Sequence, residues 1–165
     1  LRLLGGNIRA ACVTPQDRQA RSDMLLGSML AGMAFANAPV AAVHALAYPL
    51  GGHFHVPHGL SNALVLPHVL AFNMAEAAPL YAELSPLVFP ALAGRPEGAR
   101  AEGLVEGLRA LAVDLGMQTR LSEVGISHNH LPMLAEDAMK QTRLLVNNPR
   151  EMTYAAALEI YQTAL

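Results

Sequence analysis

The sequence of 165 residues predicts a single all-α domain. Hydrophobic residues make up 53% of the chain and charged residues 15%, a composition typical of buried Ala- and Leu-rich helices and not of a disordered chain. Apolar residues recur at the three- and four-residue spacing of a helix, and no segment predicts a strand. A chain of this length is long enough to bury one core.

The first 39 residues predict two helices. A short helix spans Leu1 to about Ala11, and Pro15 precedes a second, longer helix because proline favours a first helical turn. Pro39 ends or kinks that helix, since it lacks an N–H and disfavours helix at the residue before it. The second helix is expected to be mostly buried because these apolar residues follow helical spacing: Met24, Leu25, Met29, Leu30, Met33, Ala34 and Phe35.

The middle of the chain predicts a helix, a loop and another helix. Pro49 and Gly51 are expected to stop the first helix and to open an irregular loop through Pro57. Helical spacing resumes between His58 and Asn73. Residues 75–93 contain three prolines, which predict short helical turns.

The last third predicts three helices. An amphipathic helix covers Ala99 to Leu115 and ends at Gly116. A second helix opens at Pro132 and extends to about Leu145. Thr153 caps a final helix that extends to Leu165.

The composition also limits the class of partner and the compartment. A net charge of −2 with no basic stripe argues against nucleic acid. The single Cys12 cannot form an internal disulfide, which suits a reducing compartment, and a cytoplasmic location is the default expectation. The longest apolar run, from about Met24 to Ala47, is interrupted by polar residues, glycine and proline, so no membrane span and no signal peptide are predicted. The opening residues from Leu1 are typical of the middle of a helix, so the chain is expected to be a piece of a longer protein.

Four of the seven histidines lie within fifteen positions: His44, His53, His55 and His58. Imidazole is the commonest metal ligand and rarely fills a core. His44 lies near the end of one predicted helix and His58 at the start of the next, so a loop that doubles back brings both to one ion. A catalytic divalent ion takes three or four protein ligands, and the pair is therefore incomplete. From the residues alone, a metal pair and a satisfied polar core are equally favoured.

The other histidines carry a weaker signal. His53 and His55 are alternate residues of the predicted extended loop and are the local candidates for further ligands, although solvated loop histidines are the favoured interpretation. Tyr48 follows His44 by four residues and Asn62 follows His58 by four, so each is expected on its histidine's face. Surface or capping roles are predicted for the remaining three: His68, His128 and His130.

Three stretches resemble the iron-containing alcohol dehydrogenase family. They are Ala31-Gly-Met-Ala-Phe35-Ala-Asn37, Val43-His44-Ala-Leu-Ala-Tyr48-Pro-Leu-Gly-Gly52 and Pro57-His58-Gly59-Leu-Ser-Asn62. The fourteen-residue step between the two histidines is specific, and the resemblance covers the whole chain through the closing Asn148-Pro149-Arg150 turn.

The resemblance implies the helical C-terminal domain of a dehydroquinate-synthase-like fold, without the N-terminal α/β domain that binds NAD(P). Members hold a divalent metal, usually Fe²⁺ and sometimes Zn²⁺, with an Asp and three His, of which two match His44 and His58. The other two ligands are expected upstream of Leu1, and the cofactor-binding residues stay unknown. Tyr48 occupies a catalytic position where many members carry a histidine, and a phenol there puts a proton-relay role in doubt. Phe35 matches a substrate-facing position, with plain core packing as the alternative.

The implied reaction is reversible hydride transfer between a primary or secondary alcohol and its carbonyl compound, with NAD(P) as the acceptor. The chain alone is expected to be inactive and to self-associate as a homo-oligomer, because the lost domain leaves an apolar surface. Two alternatives remain. One is a metal-independent oxidoreductase domain like maleylacetate reductase, and the other is a helical interaction module without catalysis.

Overall fold

The structure is a computed structural model that describes all 165 residues. Helices connected by short loops account for its regular structure, with no strand, and this confirms the predicted all-α fold. The α-helices are α1 (Arg2–Val13), α2 (Arg18–Asn37), α3 (Ala42–Phe54), α4 (His58–Val88), α5 (Glu97–Asp114), α6 (Leu131–Met139), α7 (Thr142–Leu145) and α8 (Tyr154–Ala164). Short 3₁₀ segments lie at Pro90–Leu92, Leu121–Val124 and His128–His130.

The chain divides into two compact units, residues 1–39 with 78–107 and residues 40–77 with 108–165. In the first unit α1 packs on α2, and a Cβ at Gly27 would lie 2.8 Å from Leu4 Cδ2. A Cβ at Gly107 would lie 2.5 Å from the Phe89 ring in the same way. These glycines therefore permit close packing inside this unit.

The prediction that α2 is mostly buried is wrong. Only Ala20 and Gly27 are buried along its twenty residues, whereas Leu25 is 73% exposed and Met33 60% exposed. Helical spacing shows that a helix has an apolar face, but it does not show what covers that face. Here α1 covers the side that contains Gly27.

The second unit contains a dense core formed by α3, α4, α6 and α8. Leu46 and Leu50 of α3 are fully buried, as are Leu134 of α6 and Tyr161 of α8. The Tyr161 hydroxyl donates a hydrogen bond to the Leu46 carbonyl at 2.6 Å. Burial is the main cause that raises the pKa of Tyr161 above its ordinary value, and Asp137 adds to it. The phenol is thus a neutral donor that ties the last helix to α3.

The predicted stop at Pro49 and Gly51 is wrong, because α3 continues through both residues to Phe54. Pro49 removes one helical hydrogen bond, but Pro49 and Leu50 are both buried, and this packing outweighs the loss. The irregular loop is consequently only three residues long, from His55 to Pro57.

The short turns predicted for residues 75–93 are also wrong up to Val88, where α4 ends after 31 residues. Buried contacts of Ala77, Tyr81 and Ala82 again outweigh the local effect of proline. By length and composition α4 could cross a membrane, but core helices pass the same test, and the absence of a membrane span stays a prediction.

Near the C-terminus one boundary differs and one is confirmed. The helix predicted from Pro132 to about Leu145 ends at Met139, and α7 follows after a break. Thr153 caps α8 as predicted, since its Oγ1 accepts a hydrogen bond from the Ala156 N–H at 3.2 Å.

Candidate metal centre

The loop between α3 and α4 reverses the chain in three residues. His55 has a left-handed backbone, with φ of 55° and ψ of 25°, and its N–H donates to the Gly51 carbonyl at 3.1 Å. The Val56 N–H donates to the Leu50 carbonyl at 3.4 Å. This tight reversal places the start of α4 beside the middle of α3.

His44 lies in the first turn of α3 and not near its end as predicted, because α3 continues past Pro49 to Phe54, but His44 and His58 do come together. Their ring centroids lie 5.3 Å apart and their planes are tilted by 53°. With metal–nitrogen bonds of about 2.1 Å, two imidazoles on one ion at a near-tetrahedral angle have centroids about 5 Å apart. The two rings therefore fit a shared divalent ion.

Tyr48 completes a triangle of rings with the two histidines. Its ring centroid lies 6.3 Å from that of His44, at 88°, and 6.2 Å from that of His58, at 35°. Tyr48 is 38% exposed, so one side of the triangle is open to solvent. A phenol is thus placed beside the histidine pair at the surface of this unit.

The surroundings of the pair favour neutral imidazole at His44. Burial, and then the neighbouring His58, hold the pKa of His44 below its ordinary value. Metal coordination needs the neutral form, because its ring nitrogen has a free lone pair. The electrostatics therefore agree with the geometry of the pair.

Asn62 supports His58 without occupying its lone pairs. The Asn62 amide nitrogen donates to the His58 carbonyl at 2.8 Å and lies 3.3 Å and 3.4 Å from the two ring nitrogens. The lone-pair directions of an imidazole diverge in the ring plane, so a nitrogen nearly equidistant from both contacts the ring face. The same-face prediction for Asn62 is confirmed.

The two intervening histidines do not join the pair. His53 belongs to α3, not to an extended loop, and its Nε2 forms a hydrogen bond with Asp137 Oδ2 of α6. Lys140, and then His53, lower the pKa of Asp137. His55 is exposed. No group of three or more His, Cys, Asp or Glu residues in the chain is arranged to hold a metal, so the pair is an incomplete ligand set.

The remaining histidines differ from one another. His130 is the N-cap residue of α6, but its side chain makes no cap bond there; its Nδ1 accepts the Ser127 N–H at 3.1 Å at the start of the preceding 3₁₀ segment. His128 is exposed. His68 is not a surface group: it is partly buried in α4, and burial, with Arg109 as a smaller cause, lowers its pKa to about 4.

Two further side chains, Phe35 and Asp137, bear on the prediction of the site. Phe35 belongs to the other compact unit and is 55% exposed, and its substrate-facing role stays a prediction. Asp137 was missed by the sequence analysis because 84 residues separate it from His53 and no spacing rule connects them.

Comparison with known proteins identifies the family of this chain. The family model described as "Fe-containing alcohol dehydrogenase family, C-terminal" matches residues 1–165. The chain belongs to the iron-containing alcohol dehydrogenase family. The resemblance first seen in the histidine loop is thereby confirmed over the full chain.

Comparison with individual members of this family shows how much of each relative's length this chain covers. The chain is 40% identical over 168 residues to long-chain-alcohol dehydrogenase 1 of Geobacillus thermodenitrificans, covering 99% of this chain and 42% of that enzyme. A crystal structure of 1,3-propanediol oxidoreductase matches with a TM-score of 0.94 and 34% identity, over 99% of this chain and 43% of that one. The chain therefore spans about two fifths of the length of these relatives.

A structure of maleylacetate reductase from Agrobacterium tumefaciens also matches, with a TM-score of 0.79 and 28% identity over 99% of this chain and 43% of that one. The fold is thus shared by alcohol dehydrogenases and by this reductase. The agreement is closer with the propanediol enzyme.

Proposed function

We propose that this chain is the metal-binding, substrate-facing part of an NAD(P)-dependent alcohol dehydrogenase that interconverts an alcohol and its carbonyl compound. The observation that carries the proposal is the spacing of the His44 and His58 rings, which suits one shared divalent ion. Family membership supports the reaction class. The chain alone, which holds half a ligand set, is inactive.

In this proposal His44 and His58, as neutral imidazoles, would hold the ion. Fe²⁺ is the proposed native metal, with Zn²⁺ as the alternative, because imidazole suits both ions. Asn62 holds the His58 ring by its face and leaves the ring nitrogens free to coordinate. The remaining ligands come from polypeptide outside this sequence.

A metal held by His44 and His58 would supply Lewis-acid chemistry for hydride transfer between an alcohol and a nicotinamide. Tyr48 lies beside both ligands and presents a phenol that donates a hydrogen bond to the substrate oxygen. Tyr48 orients the substrate in this proposal. Phe35 is proposed to contact the apolar part of the substrate.

The decisive experiment replaces each ligand in the protein together with its nucleotide-binding domain. His44→Ala and His58→Ala are expected to lose bound metal and NAD(P)-dependent alcohol oxidation, measured by elemental analysis and by nicotinamide absorbance. His128→Ala, which changes an exposed histidine, is the matched control and is expected to retain both. Full metal content in both ligand variants would overturn the proposal.

Chelator treatment of the same protein distinguishes the metal-independent alternative. Activity is expected to fall on metal removal and to return when Fe²⁺ or Zn²⁺ is added back. Activity that persists in metal-free protein would favour a mechanism like that of maleylacetate reductase, whose fold this chain shares. Tyr48→Phe is expected to lower kcat for an alcohol while metal content stays unchanged.

The exposed side of α2 supports a proposal about partners. Leu25, Met29 and Met33 lie four residues apart on one face and are each more than half exposed. Contiguous apolar surface of this kind drives association, so the isolated chain is proposed to self-associate. Met29→Lys with Met33→Lys is expected to shift it toward monomer in analytical ultracentrifugation. A monomeric wild-type chain would contradict this proposal and would leave no support for an interaction module.

A further inference from the structure

Ser61 is a buried polar residue that the proposed chemistry does not use. Its side chain is 1% exposed, and its hydroxyl donates a hydrogen bond to the Val56 carbonyl at 3.1 Å. A buried hydroxyl needs a partner, since leaving it without one is unfavourable by more than an ordinary hydrogen bond contributes. Ser61 and Val56 are therefore held together across the start of α4.

Val56 is the residue through which the two helices are connected by hydrogen bonds. Its N–H donates to the Leu50 carbonyl of α3, and its carbonyl accepts from Ser61 of α4. The Val56 side chain is buried in the core of the second unit. Both polar backbone groups and the side chain of this loop residue are thus fixed.

Ser61 lies in the same first turn of α4 as His58. The Ser61 N–H donates to the Pro57 carbonyl at 2.8 Å, so one residue binds the loop through both its backbone and its side chain. A shift of this turn relative to Val56 would move the His58 ring relative to His44, which α3 holds on the other side of the loop.

We propose that Ser61 is a positioning residue that sets the separation of the His44 and His58 rings. Its hydroxyl bonds the Val56 carbonyl and acts on the rings through it. The consequence for metal binding rests on the function proposed above, whereas the consequence for ring separation does not. Ligand position controls metal affinity because a donor displaced by a fraction of an ångström coordinates less well.

The test compares Ser61→Ala with Ser85→Ala in the 165-residue chain. Ser85 is a matched control because it is also fully buried in α4, and its hydroxyl donates to the Ala82 carbonyl at 3.2 Å within the helix. Both variants lose one buried hydroxyl and are expected to lose similar unfolding free energy in urea. Only Ser61→Ala removes a bond to the loop.

The first readout is the nuclear Overhauser effect between ring protons of His44 and His58, which needs no metal. It is expected to weaken in Ser61→Ala and to stay unchanged in Ser85→Ala. The second readout is Ni²⁺ titration followed by line broadening of these two rings, since Ni²⁺ favours imidazole. We expect the Kd to rise about fivefold in Ser61→Ala, the factor for one ordinary hydrogen bond, and less than about twofold in Ser85→Ala.

An unchanged ring-to-ring effect in Ser61→Ala, or an equal loss in Ser85→Ala, would overturn the proposal. Wild-type rings that do not respond to Ni²⁺ would count against the metal pair, and the metal-free readout would still decide the role of Ser61. If Ser61→Ala does not fold, Ser61→Cys retains the shape with a weaker donor and is expected to show a partial loss of the ring-to-ring effect. A nuclear Overhauser effect between the two rings of wild-type intensity in Ser61→Cys would contradict the proposal.

Discussion

Helices α2 and α3 are both rich in small and apolar residues, yet they lie in opposite surroundings. Six of the thirteen residues of α3 are buried, whereas two of the twenty residues of α2 are. Leu46 of α3 is fully buried, and Met29 of α2 is 56% exposed. Composition alone therefore does not distinguish a core helix from a helix whose apolar face has no cover within its unit.

The difference follows from what each helix contacts. α3 packs against α6 and receives a hydrogen bond from Tyr161 of α8, so it has partners on several sides. α2 packs against α1, and the two helices approach closely on the side of α2 that contains Gly27. The stability of α3 is thus decided inside this chain, while the uncovered face of α2 is available for association.

The largest expected effect comes from truncating one apolar residue in each helix. Leu46→Ala removes a fully buried side chain and is expected to lower the free energy of unfolding by about 3 kcal/mol. Met29→Ala at an exposed position is expected to change it by less than about 0.5 kcal/mol. Urea denaturation measures both values, and equal losses would show that α2 is covered in solution.

The next effect concerns the bond that ties α8 to α3. Tyr161→Phe removes the hydroxyl that donates a hydrogen bond to the Leu46 carbonyl. The substitution is expected to lower the free energy of unfolding by about 1 to 2 kcal/mol. Tyr154→Phe on the same helix is the control, since Tyr154 is 41% exposed. A loss in the control as large as that in Tyr161→Phe would remove the special role of the buried bond.

A smaller effect on stability is expected from pH, and it arises in the second unit, which contains α3. The pKa of His68 is lowered to about 4 by burial and then by Arg109, so between about pH 6.5 and 4 the unfolded chain binds a proton that the folded chain does not. Stability therefore falls as the pH drops through this range, by about 1 kcal/mol in total, because solvent screens the charge of this partly exposed ring. Residues 24–37 of α2 contain no ionisable side chain.

The check on this effect is His68→Gln, which retains a polar side chain that does not titrate. Its free energy of unfolding is expected to depend less on pH between 6.5 and 4 than that of the wild type. Parallel curves for the two proteins would mean that His68 titrates normally in the folded chain.

The smallest effect compares two glycines within α2. Gly32→Ala is expected to raise the free energy of unfolding by about 0.5 to 1 kcal/mol, because a Cβ there meets no atom within 4 Å and alanine favours helix. Gly27→Ala would place its Cβ 2.8 Å from Leu4 Cδ2. This substitution is expected to lower the free energy of unfolding by about 1 kcal/mol. The same sign for both would show that α1 does not pack closely on α2.

Local chemistry allowed some parts of this fold to be predicted. Thr153 caps α8 because a hydroxyl before a helix satisfies a free N–H, and that rule needs no tertiary contact. Pro39 follows the end of α2 for a similarly local reason. Pro49 and Gly51 were predicted to end α3, but burial in the core outweighed their local preference. Core packing is set by residues far along the chain and is invisible to local rules.

The same division applies to the candidate site. The sequence predicted that four side chains lie together, because four-residue steps on a helix and a short loop between two helices determine which side chains are neighbours. They are His44, Tyr48, His58 and Asn62. Asp137 and Tyr161 contact α3 from more than eighty residues away, and no sequence spacing indicates these contacts. Ser61 lay within the quoted motif, but its partner became visible only when the loop geometry was known.

The backbone of residue 55 limits which sequences can connect the two ligand helices. A left-handed φ of 55° is accessible to glycine and asparagine but strongly disfavoured for side chains branched at Cβ. A library randomised at this position and selected for folding should enrich glycine and asparagine and deplete valine and isoleucine. Divergence among natural sequences at this point should follow the same stereochemical filter, whatever alcohol each enzyme uses.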